Sequence, residues 1–234
     1  MEKVRRYIVF LLGLFINSMG VGLITKANLG TSPISAIPYV LSLRFSLSLG
    51  EFTILFSLLL VAAQLLILRN QFKPEHWLQV PVSIAFGYFI DFGLWVMKVV
   101  RPQTYGGQVT FLLIGCLVLS VGVFLEVIAD VVMLPGESFV RAVVYRRKME
   151  FGVAKVVFDV SMTVIAAGLS VCLQGKLSGV REGTIIAAVL VGFLARQIGR
   201  KLEWLSAVLF HSDKQRTDYI RAVSYTHLTL STKA

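Results

Sequence analysis

The sequence predicts an all-α polytopic membrane protein of about six transmembrane helices, arranged as two inverted three-helix repeats with broken or re-entrant segments. Three observations carry that expectation. The 234-residue chain is 56% hydrophobic and only 15% charged, with a mean hydropathy of +0.77, well above the roughly 45–50% apolar content of soluble domains. Several nearly uncharged windows reach the roughly 20 residues needed to cross a hydrocarbon core. Finally, sliding the chain 102 residues along itself brings glycine, serine and proline landmarks into register.

The chain opens Met1, Glu2, Lys3, Val4, Arg5, Arg6 and then turns apolar, like the start of a signal peptide. The run over 7–25 is too long for a signal h-region and lacks a convincing small-residue cleavage site, so it is read as the first span. Residues 26–50, KANLGTSPISAIPYVLSLRFSLSLG, are too apolar for a loop and too broken by Pro33 and Pro38 for a standard span. A re-entrant segment fits, because irregular backbone at membrane depth is tolerated when it is buried in protein or lines a wet cavity. Further spans are expected over 51–69, 77–98, 109–131, 153–174 and 182–200. They give one membrane domain, 1–221, with repeat one over about 7–98, repeat two over about 109–200 and a cytoplasmic C-terminal segment 201–221.

Charge placement sets the expected orientation. With six crossings, Lys3, Arg5, Arg6, Arg69, Lys73, Arg141, Arg146, Arg147, Lys148, Arg200 and Lys201 fall on one side, and Lys26, Arg44, Lys98, Arg101, Lys176 and Arg181 on the other. The denser set marks the cytoplasm, so both termini are expected there. The net charge of +10 is accounted for by interfacial anchoring, since these residues punctuate apolar runs instead of forming the basic face that nucleic acid requires. Cys116 and Cys172 sit inside apolar stretches without metal-ligand spacing, which makes packing their expected role. The expected partners are the lipid bilayer and a small-molecule or ion substrate, with no nucleic acid, metal or cofactor.

The last residues, VSYTHLTLSTKA over 223–234, break from the rest in composition. The DNA GTC TCT TAT ACA CAT CT, the transposon end used in common sequencing libraries, encodes Val-Ser-Tyr-Thr-His-Leu. Ala222 fits the CT that precedes it there. The usual continuation Leu-Thr-Leu-Pro-Thr departs once, at Ser231. Native coding is therefore expected to stop near Arg221, with 222–234 as adapter read-through, and the tail is left out of functional argument.

In the 102-residue register Gly13 meets Gly115, Ser18 meets Ser120, Gly20 meets Gly122, Ala27 meets Ala129, Asn28 meets Asp130, Pro33 meets Pro135 and Gly50 meets Gly152. A three-residue insertion then sets Gly87, Tyr88 and Phe89 against Gly192, Phe193 and Leu194. An odd number of crossings per half inverts the second half relative to the first. Transporters commonly hold substrate at such a repeat interface, on broken helices near the midplane. The same duplication occurs in non-transporters, so this link to function is an analogy.

The polar residues of the spans are the candidate site. Glu126 and Asp130 lie one turn apart on one helix face, where an ionisable group costs about 2.5–3.5 kcal/mol at mid-span and usually faces a bundle interior or wet cavity. They form either a functional polar cluster or a structural interhelical pair. ADVVMLPGE over 129–137, with Pro135 and Gly136, repeats the break at KANLGTSP, with Asn28 and Pro33. If the two breaks enter from opposite faces and meet, Thr31, Ser32 and Ser35 supply hydroxyls, Glu137 a carboxylate and freed amides an anion site; otherwise they are proline-capped loops. Asp159 stands opposite Ser57 in the repeat, with Lys155 one turn before it as an i, i+4 partner or as part of a coupling or gating pair. Arg181 and Glu182 open the sixth span, Glu182 suiting the helix N-terminus and Arg181 available to an anionic ligand or an acidic residue of the fourth span. Arg196, opposite Asp91 in the repeat, reads as an interfacial anchor.

No metalloprotease histidine motif, phosphate loop or nucleophile elbow is present, and His76, His211 and His227 are scattered. The chain is not expected to be an enzyme. Its strings GLFINSMGVGLITKANLGTSPISAIPYVLS (13–42), PVSIAFGYFIDF (81–92), GVFLEVIADVVMLPGE (122–137), FGVAKVVFDV (151–160) and GKLSGVREGTIIAAVLVG (175–192) resemble the YczE/YyaS/YitT group of bacterial integral membrane proteins, most of all its YczE branch. That resemblance implies a bacterial cytoplasmic membrane and carries over no substrate and no catalytic residue. The functional expectation is a small-solute transporter or permease with Glu126, Asp130, Asp159 and Arg181 near a central site; the alternative is a non-transporting accessory or scaffold protein.

Overall fold

A computed structural model describes residues 2–69, 74–100 and 102–201. Lys73 and Arg101, the expected C-terminal segment beyond Lys201 and the suspected adapter residues 222–234 lie outside the described residues. Among the described residues eight α-helices follow in order: α1 Glu2–Lys26, α2 Pro33–Ser42, α3 Leu49–Leu68, α4 Gln79–Val96, α5 Tyr105–Ala129, α6 Pro135–Arg147, α7 Phe151–Gln174 and α8 Glu182–Lys201. With single 3-10 turns at both ends of α4, six of these helices are long and apolar enough to cross a membrane. Each coincides with an expected span. The two short ones, α2 and α6, fill the breaks: the segments read as irregular backbone are largely helical.

Local chemistry explains the boundaries. Pro33 and Pro135 begin α2 and α6, where proline's fixed φ suits a helix and its missing N–H costs nothing. Pro38 sits inside α2 and removes one backbone bond, consistent with a helix of only 10 residues. Asn28 and Asp130, matched in the repeat register, both take left-handed backbone, at φ 57° and 48°, a conformation that asparagine and aspartate accept better than other non-glycine residues. Gly30, at φ 115° and packed on Thr184 and Arg181, completes the first turn. A capping box opens α3: Ser48 Oγ accepts from Glu51 N at 3.0 Å and Glu51 Oε2 from Ser48 N at 2.7 Å. Ser48→Ala is expected to lower unfolding stability by about 1 kcal/mol, read from denaturation of the purified protein in detergent.

The packing centres on α1 and α5, which run antiparallel in close contact. Their glycines let the backbones approach, as small residues do in membrane bundles. A Cβ on Gly20 would lie 2.6 Å from Leu119 Cα, and one on Gly122 would lie 2.6 Å from Asn17 Cα. A Cβ on Gly13 would meet Leu125 and Glu126, and one on Gly115 would meet Leu23 and Ile24. Every one of these contacts has its counterpart 102 residues away. The outer helices follow the same scheme: α1 packs on α4 as α5 packs on α8, while α2 crosses to α7 as α6 crosses to α3. The main core, with Phe10, Leu14, Ile24, Leu112, Leu119 and Phe124, lies along the α1–α5 seam.

Candidate functional site

The first turns of α2 and α6 meet inside the bundle. Pro33, Pro135 and Gly136 are buried, and a Cβ on Gly136 would fall within the Ile34 side chain. Ile34 and Gly136 are themselves equivalent in the repeat register, so the two short helices touch at corresponding residues. Glu137 follows Gly136 in the first turn of α6, where a carboxylate faces the amide end of a helix.

Around Glu137 lies a charged group drawn from three helices. Glu126 of α5 is buried, and Asn17 Nδ2 of α1 donates to its Oε1 at 2.9 Å. Glu137 lies within electrostatic reach of Glu126, Lys155, Asp159 and Arg141. Lys155 donates to Asp159 Oδ1 at 2.7 Å, closing the i, i+4 pair along α7. Three carboxylates and two cations therefore lie in one region, at the end of α5 and the start of α7 that α6 connects.

A buried amide network fixes α6 next to this group. Gln64 of α3 donates to the Pro135 carbonyl at 3.1 Å and to Gln79 Oε1 at 3.2 Å. Gln79, the first residue of α4, donates to Gln64 Oε1 at 3.2 Å and to Ser138 Oγ at 3.1 Å. Ser138 in turn donates to Gln64 Oε1 at 2.8 Å. Pro135 and Ser138 bracket Gly136 and Glu137, so the network holds the turn that carries the carboxylate.

The remaining predicted residues separate. Thr31 and Ser32 are buried beside the start of α2: Thr31 N donates to Thr184 Oγ1 at 3.3 Å, its hydroxyl meets that of Thr25 at 3.2 Å, and Ser32 Oγ donates to Ser35 Oγ at 3.1 Å. Asp130 is exposed at the end of α5, held there by its left-handed turn and not directed into the bundle with Glu126. Arg181 and Glu182 are also exposed. They pair with each other at 3.1 Å, and Arg181 donates to the Asn28 carbonyl at 3.1 Å, at the opposite end of the α1–α5 seam from Glu126. Arg181 and Asp130 thus lie apart from the group formed by Glu126, Glu137, Lys155 and Asp159.

Sequence reading missed Asn17, Gln64, Gln79 and Ser138. Their signal is polarity without charge, since an amide or hydroxyl buried among apolar helices has to find a hydrogen-bond partner across them. The repeat register shows a further asymmetry: Glu137, Lys155 and Asp159 correspond to Ser35, Thr53 and Ser57, all buried. One half carries charges where the other carries hydroxyls.

Fold and polar interior together define an all-helical, multi-pass membrane protein with six spans and two short inserted helices. The chain belongs to a family of unknown function, DUF6198, which matches residues 4–200. It is 28% identical over 196 residues to the uncharacterized membrane protein YczE of Bacillus subtilis (strain 168), a match covering 83% of this chain and 86% of the relative. It is 30% identical over 93 residues to the uncharacterized protein YyaS of the same organism, covering 40% of this chain and 45% of that one. No solved structure matches.

Proposed function

We propose that this protein is a small-solute transporter or permease of the bacterial cytoplasmic membrane, with both termini cytoplasmic and two inverted halves related across the α1–α5 seam. The observation that carries the reading is Glu126, a buried carboxylate bonded to Asn17 beside the junction of two short helices. Ionisable groups inside spans mark ion and substrate pathways, and paired discontinuous helices are where inverted-repeat transporters bind their cargo. The reciprocal glycine contacts and the matched pairing of outer helices support the inverted arrangement. The site is formed by Asn17, Glu126, Glu137, Lys155 and Asp159, with the hydroxyls of Thr31, Ser32 and Ser35 on the α2 side. It works by binding and gating and takes no catalytic step.

Metabolite profiling of deletion and overexpression strains nominates solutes, and uptake into proteoliposomes tests them. Glu126→Gln keeps the shape of the side chain and removes its charge. The expected result is normal assembly with uptake reduced to background. No solute dependence across a broad panel would sink the reading, and a variant that assembles and transports normally would remove Glu126 from the site. The accessory or scaffold alternative rests on one observation: among the described residues every buried side-chain nitrogen and oxygen has a hydrogen-bond partner, as a purely structural network requires. Under that alternative, Glu126→Gln loses assembled protein and nothing else.

A further inference from the structure

A cavity of about 570 Å³ opens at the face opposite the N-terminus, between the last turns of α1, α2 and α4 and the first turn of α3. Its volume falls within the roughly 300–1,000 Å³ of small-molecule sites. It is separate from the Glu126 group, and of the residues named from the sequence it contains Lys26 and Asp91, neither a site candidate there.

Sorting its lining by chemistry leaves a surplus of one kind. Asp91 contributes a carboxylate, and each of its oxygens already accepts a bond: Ser48 Oγ donates to Oδ2 at 2.5 Å and Gly50 N to Oδ1 at 2.8 Å. That carboxylate serves the N-terminus of α3, whose amide end it neutralises. Ser42 donates to the Tyr39 carbonyl at 2.8 Å, and Thr25 to the Val21 carbonyl at 2.8 Å. The unmatched groups are donors. Among the described residues the Lys26 ammonium, the Tyr39 hydroxyl and the Trp95 indole N–H have no hydrogen-bond or ion-pair partner and are accessible, on half-buried Lys26 and Tyr39 and exposed Trp95, which all line the cavity. Leu94 and two further leucines complete an apolar wall.

We propose that this cavity binds a small amphipathic anion, its carboxylate or phosphate held by Lys26 and the Tyr39 hydroxyl and its apolar body resting on Leu94 and Trp95. A cation on a flexible stem beside two donor-bearing rings suits an acceptor-rich head, and the apolar wall excludes a bare inorganic ion. The anion comes either from a free organic acid or from the headgroup of a bilayer lipid, because the chemistry presented to Lys26 is the same. This inference goes beyond transport and does not need it, since an accessory protein can hold the same ligand.

The test uses the full chain, purified in neutral detergent and in phosphatidylcholine nanodiscs, with 4-nitrobenzoate as an anionic quencher of tryptophan fluorescence. The expected result is saturable quenching that is absent in Trp95→Phe, weakened about tenfold or more in Lys26→Gln and retained in Lys26→Arg. Neutral 4-nitrobenzamide is expected to quench only weakly and without saturation. Equal binding of the neutral probe, or undiminished quenching in a folded Lys26→Gln variant, overturns the proposal. Should Lys26→Gln fail to fold, Tyr39→Phe replaces it, with weaker binding expected and unchanged binding overturning the proposal. Nanodiscs containing phosphatidylglycerol identify the source: competition assigns the site to a lipid headgroup, and undiminished 4-nitrobenzoate binding assigns it to a free anion. The readout needs no gradient and no transported solute, so a negative uptake experiment leaves it standing.

Discussion

Gly20→Val and Gly122→Val are each expected to eliminate assembled protein from the membrane fraction, whereas Gly168→Val and Gly192→Val leave its amount near wild type. The difference is one of space. At Gly20 the first added carbon would sit 2.6 Å from Leu119 Cα, and at Gly122 it would sit 2.6 Å from Asn17 Cα. These obstacles are backbone atoms of the facing helix, which no change of rotamer can move aside. Overpacking a rigid site costs about 1–3 kcal/mol and occasionally more, and here α1 and α5 would have to separate along the most extensive helix contact in the bundle. Nothing lies within 4 Å of a Cβ at Gly168 or Gly192, so the same substitution there meets open space. Membrane-fraction yield and gel filtration in detergent distinguish the two pairs. Because the seam is reciprocal, Gly20 and Gly122 should suffer alike. Tolerance at one and collapse at the other would contradict the equivalence of the halves.

Much of this was legible in the sequence because the bilayer imposes simple rules. Length and apolarity placed all six spans, and Pro33 and Pro135 marked where two more helices begin. The 102-residue register paired Asn28 with Asp130 before their shared left-handed backbone was seen. The helical state of 33–42 was not legible, since Pro38 argues against a helix locally and only burial of the segment against α7 and α3 offsets the lost bond. The site was half legible. Glu126, Glu137 and Asp159 stand out as charges in apolar runs, but spacing along a chain does not say which way a helix end turns. Asp130 therefore looked like a companion of Glu126 until its turn carried it to the surface, and Arg181 looked central until it bonded the Asn28 carbonyl. The Lys26 cavity was invisible, because its lining comes from four elements and its one carboxylate, Asp91, is bonded at the start of α3.

Replacing Asn17 and Glu126 together by Leu and Ile is expected to give a protein at least as stable as wild type that lacks the solute uptake proposed above. The design comes from the molecule itself: in the repeat register the counterparts of Asn17 and Glu126 are Leu119 and Ile24, both buried in the apolar core. The fold already accommodates that pair at the equivalent place. Asn17→Leu alone should be worse than the double change, because it leaves the Glu126 carboxylate buried without its donor, at about 1–3 kcal/mol or more. Removing both polar partners eliminates that penalty, and exchanging a buried polar pair for well-packed apolar side chains is often neutral or stabilising by about 1–4 kcal/mol. Thermal unfolding in detergent should therefore rank the single variant lowest and the double variant level with or above wild type, while uptake into proteoliposomes is lost in the double variant. If the double variant still moves solute, the polar pair serves packing and the site must be sought at Glu137 and Asp159. If it is stable and silent, the asymmetry between the halves is functional: the fold needs a pair of side chains at this position, and only transport needs them to be Asn17 and Glu126.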